Sequence, residues 1–319
     1  MYKILFILVA FLILSISGLS YAYAETLIMP LGDSITFGSE STNNNGYRRA
    51  LYLALERYDV NFVGSLNHGE SDFDQDHEGH DGWKSFLITD HLYGSGEDWL
   101  TLNPADIILL HIGTNDLFST PLDEIADDIS LLLDKVDQFE IDRGRHVTVF
   151  LARIIDFESP YPPPIVFGTV ALLNEYIQVM ADNRIMYGDD IIVVDMENAL
   201  TYPDDIHGAC HCHPTDEGYQ KMANTWLASL ECYFGVTIAR IGNEYFTSLQ
   251  EAYDSAFDGD FIQIHGINID SILNANRNIS VNIDGGYSCD FSEKTGSTIL
   301  NSNITISNGT VMIGNLVTE

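Results

Sequence analysis

The sequence predicts a three-layer α/β domain, a parallel sheet with helices on both faces, followed by a small β-rich module. Three observations predict it. Between residues 27 and 233, short apolar runs alternate with amphipathic stretches. The later runs are nearly continuous in Ile, Leu and Val, as strands covered on both faces should be. After residue 238 the helix formers thin out, and Asn, Ser, Gly and Ile take over.

The elements follow in order. Residues 1–24 read as an export leader, with Lys3 as a positive start, an apolar stretch over 4–19, and the small residues Ala22 and Ala24 before a cleavage point. Such a leader, once cleaved, makes the protein secreted or extracytoplasmic and permits disulfides, a retained membrane anchor being the alternative. No later stretch approaches the ~20 apolar residues of a membrane span. Strands are expected at 27–29, 60–63, 106–111, 146–152 and 190–195. Helices are expected at 46–58, 122–139, 167–184 and 216–232. In 122–139 the residues Ile125, Ile129, Leu132, Leu133 and Val136 recur every three or four positions, which makes one helix face for a sheet. Strand and helix repeated in this way give right-handed crossovers, with the working residues beyond the carboxyl ends of the strands.

The domain boundaries read as 25–236 for the α/β part and 237–319 for the module, with the junction inside 234–244. One short helix is expected at 247–257, carried by Leu249, Tyr253 and Phe257. Short alternating strands follow at 261–264, 279–283, 304–306 and 311–313. Their spacing suits a small sandwich or the first coils of a parallel β-helix. The pattern still runs at Glu319, so the module is expected to be truncated, or to stack on further repeats or a partner chain.

Composition excludes whole classes of partner. Lys and Arg total 14 against 47 Asp and Glu, a formal net charge of −33. That field repels nucleic acid and anionic membrane surfaces, and suits a neutral or cationic substrate. The four cysteines, Cys210, Cys212, Cys232 and Cys289, are too few for a disulfide framework. One bridge from the Cys210/Cys212 pair to Cys232 is the expected link, with the other pairing open.

Three polar clusters carry chemistry. Gly32-Asp33-Ser34 directly follows the first strand, where a serine hydroxyl points into the crevice. Gly113-Thr114-Asn115-Asp116 follows the third strand, and the Asn115 amide can donate into the same space. His213-Pro214 stands just before the last helix, where a general base for Ser34 would be placed.

These clusters, with Gly64 in Phe62-Val63-Gly64-Ser65, resemble the four sequence blocks of the SGNH (GDSL-type) hydrolase superfamily. The narrower likeness is to secreted carbohydrate acetylesterases of the acetylxylan esterase kind. It rests on Arg48 and on the run Asp76-His77-Glu78-Gly79-His80-Asp81-Gly82-Trp83. The resemblance covers about residues 27–233 and implies a flavodoxin-like sheet. It also implies Ser34 as nucleophile, His213 as base, and an oxyanion hole from the Ser34 and Gly64 N–H groups and the Asn115 side chain. Asp33, Arg48, His80, Trp83 and Tyr161 are the candidates for facing substrate. An acetylated polysaccharide or a small ester is the expected substrate, and no organic cofactor is needed.

One position departs from that pattern. The superfamily carries an acid three residues before the catalytic histidine, and here that residue is Cys210. Three readings stand open: Asp205 or Asp204 loops back to His213, Asp204 and His207 form the working pair, or a backbone carbonyl orients the ring. The first is preferred, because Pro214 and Gly218-Tyr219 fix the setting of His213. Two metal readings stand beside these. Asp72, Asp74, Asp76 and Glu78 alternate in a loop and offer hard oxygen ligands for Ca²⁺. His207, Cys210, His211, Cys212 and His213 hold the ligand types of a Zn²⁺ site, against which a disulfide loop is the duller reading. A lipid or other small-ester esterase is the alternative activity. A non-catalytic carbohydrate-binding or adhesion protein is the competing class.

Overall fold

The computed structural model describes residues 25–94, 97–208, 210–235, 237–242, 244–269, 272–289, 291, 294, 296–301 and 303–318. The expected leader at 1–24 lies outside the described residues. Seven strands build the main sheet: β1 (Thr26–Gly32), β2 (Val60–Phe62), β3 (Leu66–Asn67), β4 (Asp76–Gly79), β5 (Ile107–His111), β6 (Thr148–Arg153) and β7 (Ile191–Asp195). Their order is β3-β4-β1-β5-β6-β7, and every pairing is parallel except that of β3 with β4. β1 has two partners on one edge: Thr26 to Ile28 pair with β2, and Leu31 and Gly32 pair with β4. Its other edge runs along β5 as far as the Gly32–His111 pair.

The helices are α1 (Ser34–Phe37), α2 (Gly46–Leu55), α3 (Ser85–Leu92), α4 (Trp99–Leu102), α5 (Leu122–Arg143), α6 (Thr169–Tyr187) and α7 (Asp216–Tyr233). α2 packs with α7, while α3, α5 and α6 pack in succession, so that helices cover both faces of the sheet. The expected stripe of α5 is the buried one: Ile125, Ile129, Leu132, Leu133 and Val136 are all at most 3% exposed. Each such side chain contributes roughly 1.5–3 kcal/mol relative to exposure. In the chain between β7 and α7 comes the hairpin of β8 (Ile206–His207) and β9 (His213–Pro214), paired antiparallel with His207 opposite His213. In the α/β part the sequence reading missed α1, α3, α4, β3, β4, β8 and β9. β3 and β4 fall in an Asp-, Gly- and His-rich stretch with low strand propensity, which is overridden by the pairing of β4 with β1 and of β3 with β4.

Past α7 come β10 (Ala239–Ile241), β11 (Glu244–Phe246), α8 (Leu249–Ser255), β12 (Phe261–His265), β13 (Asn268–Ile269), β14 (Leu273–Ala275), β15 (Ser280–Tyr287), β16 (Thr298–Leu300), β17 (Ile304–Ile306), β18 (Thr310–Gly314) and β19 (Leu316–Thr318). Strands with the same place in successive turns of the chain stack in parallel: β12 on β15 on β18, β13 on β16 on β19, and β14 on β17. Ile262, Ile264, Leu273, Val281, Ile283 and Leu300 point into a core of their own, capped by Leu249 and Tyr253 of α8. This core is separate from that of the α/β part, which ends with Leu230 and the flanking Phe234.

The expected disulfide is not the one formed. Cys210 bonds Cys212 within the β8–β9 loop, and Cys232 at the end of α7 bonds Cys289 in the β-rich part. The reason is reach. Cys210 and Cys212 lie in a tight loop with Cα atoms 5.2 Å apart, within disulfide span, and that pairing leaves Cys232 to a partner the chain reaches only by folding back.

Candidate active site

β1, β4 and β5 end side by side, and the loops after β1 and β5 open at that edge. Asp33 caps α1, its Oδ1 accepting the Ile35 N–H at 2.9 Å. This places Ser34 as the first residue of α1, with its side chain at the rim of the core and 2% exposed. His213 arrives from β9, and its Nε2 lies 2.9 Å from Ser34 Oγ. Residues 179 apart in sequence are thus brought to hydrogen-bonding distance. Burial holds the His213 pKa below the ordinary imidazole value, with the nearby Glu40 carboxylate opposing that shift. A neutral imidazole in contact with a serine hydroxyl is the arrangement of a nucleophile and its general base.

Gly64 and Asn115 border the same edge. A Cβ on Gly64 would fall 2.2 Å from the carbonyl carbon of His77, so only glycine allows the β2 and β4 backbones to approach there. Asn115 donates from Nδ2 to the Trp83 carbonyl at 2.9 Å, and the neighbouring Asp116 accepts from the Ser85 hydroxyl at 2.7 Å. These bonds tie the loop after β5 to the start of α3.

The other side of Nδ1 is where structure and expectation part. Asp205 does not reach His213. It is buried, accepting from Lys221 Nζ at 2.7 and 2.8 Å and from the Thr201 N–H at 2.7 Å. Burial alone would raise its pKa, but Lys221 and Thr201 outweigh it and hold the carboxyl below the usual range. Asp204 is exposed. His207 is also exposed, and its ring lies 4.0 Å from Glu40 rather than on Ser34. What faces His213 Nδ1 is Glu40 Oε1 at 3.5 Å and Cys210 Sγ at 3.6 Å. The sulfur stands at the position where the resemblance places an acid, and a disulfide sulfur carries no charge. Asp205 and Asp204 are therefore corrected: both precede β8, where Asp205 turns to Lys221 and Thr201 and Asp204 to solvent.

Two substrate-facing candidates are corrected as well. Asp33 is fully buried, and burial raises its pKa to about 7. Arg48 is also fully buried and donates only to backbone carbonyls, those of Thr36, Phe37, Asn44, His68 and Gln75. Removal from water pushes its pKa down to about 10. Both organise the loop after β1 from beneath and present nothing to a substrate. His80 is stacked on Trp99, centroids 4.4 Å apart and planes within 5°, and on Trp83 at 4.5 Å. Its Nε2 lies 2.9 Å from Glu78, which also accepts from Ser65, the residue after Gly64. Tyr161 is half exposed in a loop that follows β6.

The metal readings are not supported. Asp72 pairs with Arg49, Asp74 accepts the Phe62 N–H, Asp76 accepts from Asn67, and Glu78 is spent on Ser65 and His80. Alternation along the chain sends these carboxylates to different partners instead of one cation. Among the described residues the sole three-membered group of metal-ligand types is Cys210, Cys212 and His213, and its two sulfurs are bonded to each other. Sequence reasoning missed Glu40 and Trp99. Each lies in a segment without periodicity, and neither type at that place signals a site before the loops close.

A family model described as GDSL-like Lipase/Acylhydrolase matches residues 31–221, which include Ser34, Asn115 and His213. The chain belongs to this family. Its α/β domain is accordingly that of an ester hydrolase, with the SGNH-type fold related to carbohydrate and acetyl esterases. A multidomain esterase of Ruminococcus flavefaciens is 31% identical over 240 residues, 67% of this chain and 30% of that protein, so the chain spans about a third of its relative's length. Among solved structures, a family 3 carbohydrate esterase of Clostridium thermocellum is 29% identical with a TM-score of 0.53, covering 63% of this chain and 92% of that one. A family 3 carbohydrate esterase of Talaromyces cellulolyticus shares the fold at 23% identity and a TM-score of 0.52, over 65% and 97% of the two chains.

Proposed function

We propose that this GDSL-family chain is an exported serine esterase that removes O-acetyl groups from polysaccharide, in the manner of an acetylxylan esterase. The observation that carries the reading is the 2.9 Å contact of His213 Nε2 with Ser34 Oγ. It sits in a domain 29% identical to a family 3 carbohydrate esterase. In the proposed reaction His213 takes the Ser34 proton as Oγ attacks the acetyl carbonyl. The Ser34 and Gly64 N–H groups and the Asn115 amide receive the developing oxyanion. His213 returns the proton to the departing sugar oxygen, leaving acetyl on Ser34. Water, deprotonated by His213, then releases acetate and restores the serine.

The partly exposed Trp83, stacked on His80 beside this edge, supports a carbohydrate substrate, as does a net charge of −33, which disfavours polyanions. Two disulfides support export. The three parallel strand stacks after α8 support reading the module as coils of a parallel β-helix. Acetate release from a panel of acetylated polysaccharides, with Ser34→Ala as control, tests the proposal. Release from acetylated xylan that disappears in the variant is the expected result. Turnover of long-chain lipid esters alone, or equal release by the variant, would overturn it.

A further inference from the structure

We propose that Glu40 is the residue that orients His213 and stabilises its imidazolium, in place of an acid from the histidine's own loop. This rests on the reading of Ser34 and His213 as nucleophile and base. Glu40 lies on the loop after α1, six residues past the serine, and its Oε1 is 3.5 Å from His213 Nδ1. With Nε2 committed to Ser34, Nδ1 must carry the proton, and a carboxylate at that distance is an acceptor for it.

Four sets of bonds hold the loop on either side of Glu40. Arg48 Nη2 donates to the carbonyls of Phe37 and Asn44, at 3.0 and 2.7 Å, and so staples its two ends. Tyr219 of α7 donates to the Ser39 carbonyl at 2.9 Å, and Ser39 Oγ donates to Asp81 at 3.0 Å. Thr42 donates from its N–H and its hydroxyl to Asp216 at 2.8 and 2.6 Å. Between these anchors Glu40 takes a left-handed backbone (φ 64°), uncommon for a residue with a side chain and characteristic of functional loops. Across the gap stands Gly208, where a Cβ would fall 2.0 Å from Glu40 Oε2. A larger residue there would expel the carboxylate. The loop that lost the acid thus leaves the room that Glu40 occupies.

The charged and titratable groups facing the pair are Asp81 and His207 around His213, and His207 again with Tyr219 of α7 beside Glu40, with Asp216 close to His207. Asp81 is exposed, and His207 is 4.0 Å from Glu40 Oε2, so neither replaces the contact to Nδ1.

The test is Glu40→Gln and Glu40→Asp in the full chain, compared by kcat and KM on an aryl acetate across pH, with circular dichroism to confirm folding. Because the chain's acid is partly exposed, the loss is set below that for a buried triad acid: Glu40→Gln should lower kcat by about 10- to 100-fold with KM little changed. Removing the carboxylate also removes a stabiliser of the imidazolium, so the acid limb of kcat/KM should move to lower pH, while Glu40→Asp keeps it nearer the wild type. A residue that only supports the fold would leave the limb in place. An unmoved limb with kcat within ~3-fold of wild type overturns the proposal. If the wild type hydrolyses no ester, the esterase reading fails separately. The His213 titration followed by NMR, assigned by its loss in His213→Asn, then decides: a lower pKa in Glu40→Gln supports the pairing, and an unchanged one overturns it.

Discussion

Asp205 and Lys221 form a bidentate ion pair, Nζ lying 2.7 and 2.8 Å from the two carboxylate oxygens, and this pair ties the β8–β9 hairpin to α7. The residue read from sequence as the orienting acid is instead a brace. Its carboxylate is 5% exposed and Lys221 39% exposed.

Asp205→Asn is therefore expected to cost stability more than rate. The folded-state pKa of Asp205 is depressed, so its contribution is present above the unfolded value of about 3.9 and fades as pH falls through that range. The Tm difference between wild type and variant should be clear at pH 7 and shrink toward pH 3, with kcat at pH 7 within several-fold. A loss of kcat of about 10³ at unchanged Tm would return Asp205 to the role of acid.

Ser34→Ala and His213→Ala should each lower ester hydrolysis by at least ~10³-fold with Tm nearly unchanged, because neither side chain supports much packing. The wild-type rate should also show an acid limb below the ordinary imidazole pKa of about 6.5, since burial favours the neutral, basic form of His213. A limb above pH 7 would contradict that direction.

Asp33→Asn should flatten the pH dependence of stability. The wild-type carboxyl titrates near about 7 when folded and about 3.9 when unfolded, so the folded state holds the extra proton between those values. On this group's account stability falls as pH rises from about 4 to 7 and is level above. The amide keeps the Oδ1 acceptor for the Ile35 N–H and carries no charge to bury. The variant should gain on the wild type at pH 8 relative to pH 5, measured by urea unfolding. An equal difference at both pH values would place the Asp33 titration elsewhere.

The two cores are bridged covalently by Cys232–Cys289, apart from the chain itself. A chain ending after Gly235, with Cys232→Ser to remove the orphaned thiol, should unfold cooperatively and hydrolyse an aryl acetate within several-fold of the full length. A molten product, judged by near-UV circular dichroism, would show that the β-rich part completes the first core.

The alternation of apolar runs and amphipathic stretches determined the sheet-and-helix architecture, because burial on both sides of a parallel sheet demands such runs. Ser34, Asn115 and His213 were also legible as candidates, since each stands at the end of a predicted element and fold topology gathers those ends. What the sequence could not decide lies in loops. Whether Asp205 turns to His213 or to Lys221, whether Cys210 pairs with Cys212 or Cys232, and whether Arg48 reaches substrate or backbone depend on loop paths without periodicity. Those paths are set by contacts between residues far apart in the chain, such as Thr42 with Asp216 and Tyr219 with Ser39, which exist only once the helices have packed. Local pattern reports which face of an element is buried. The partner of a buried polar group is chosen by the tertiary structure, because an unpaired one is too costly to keep.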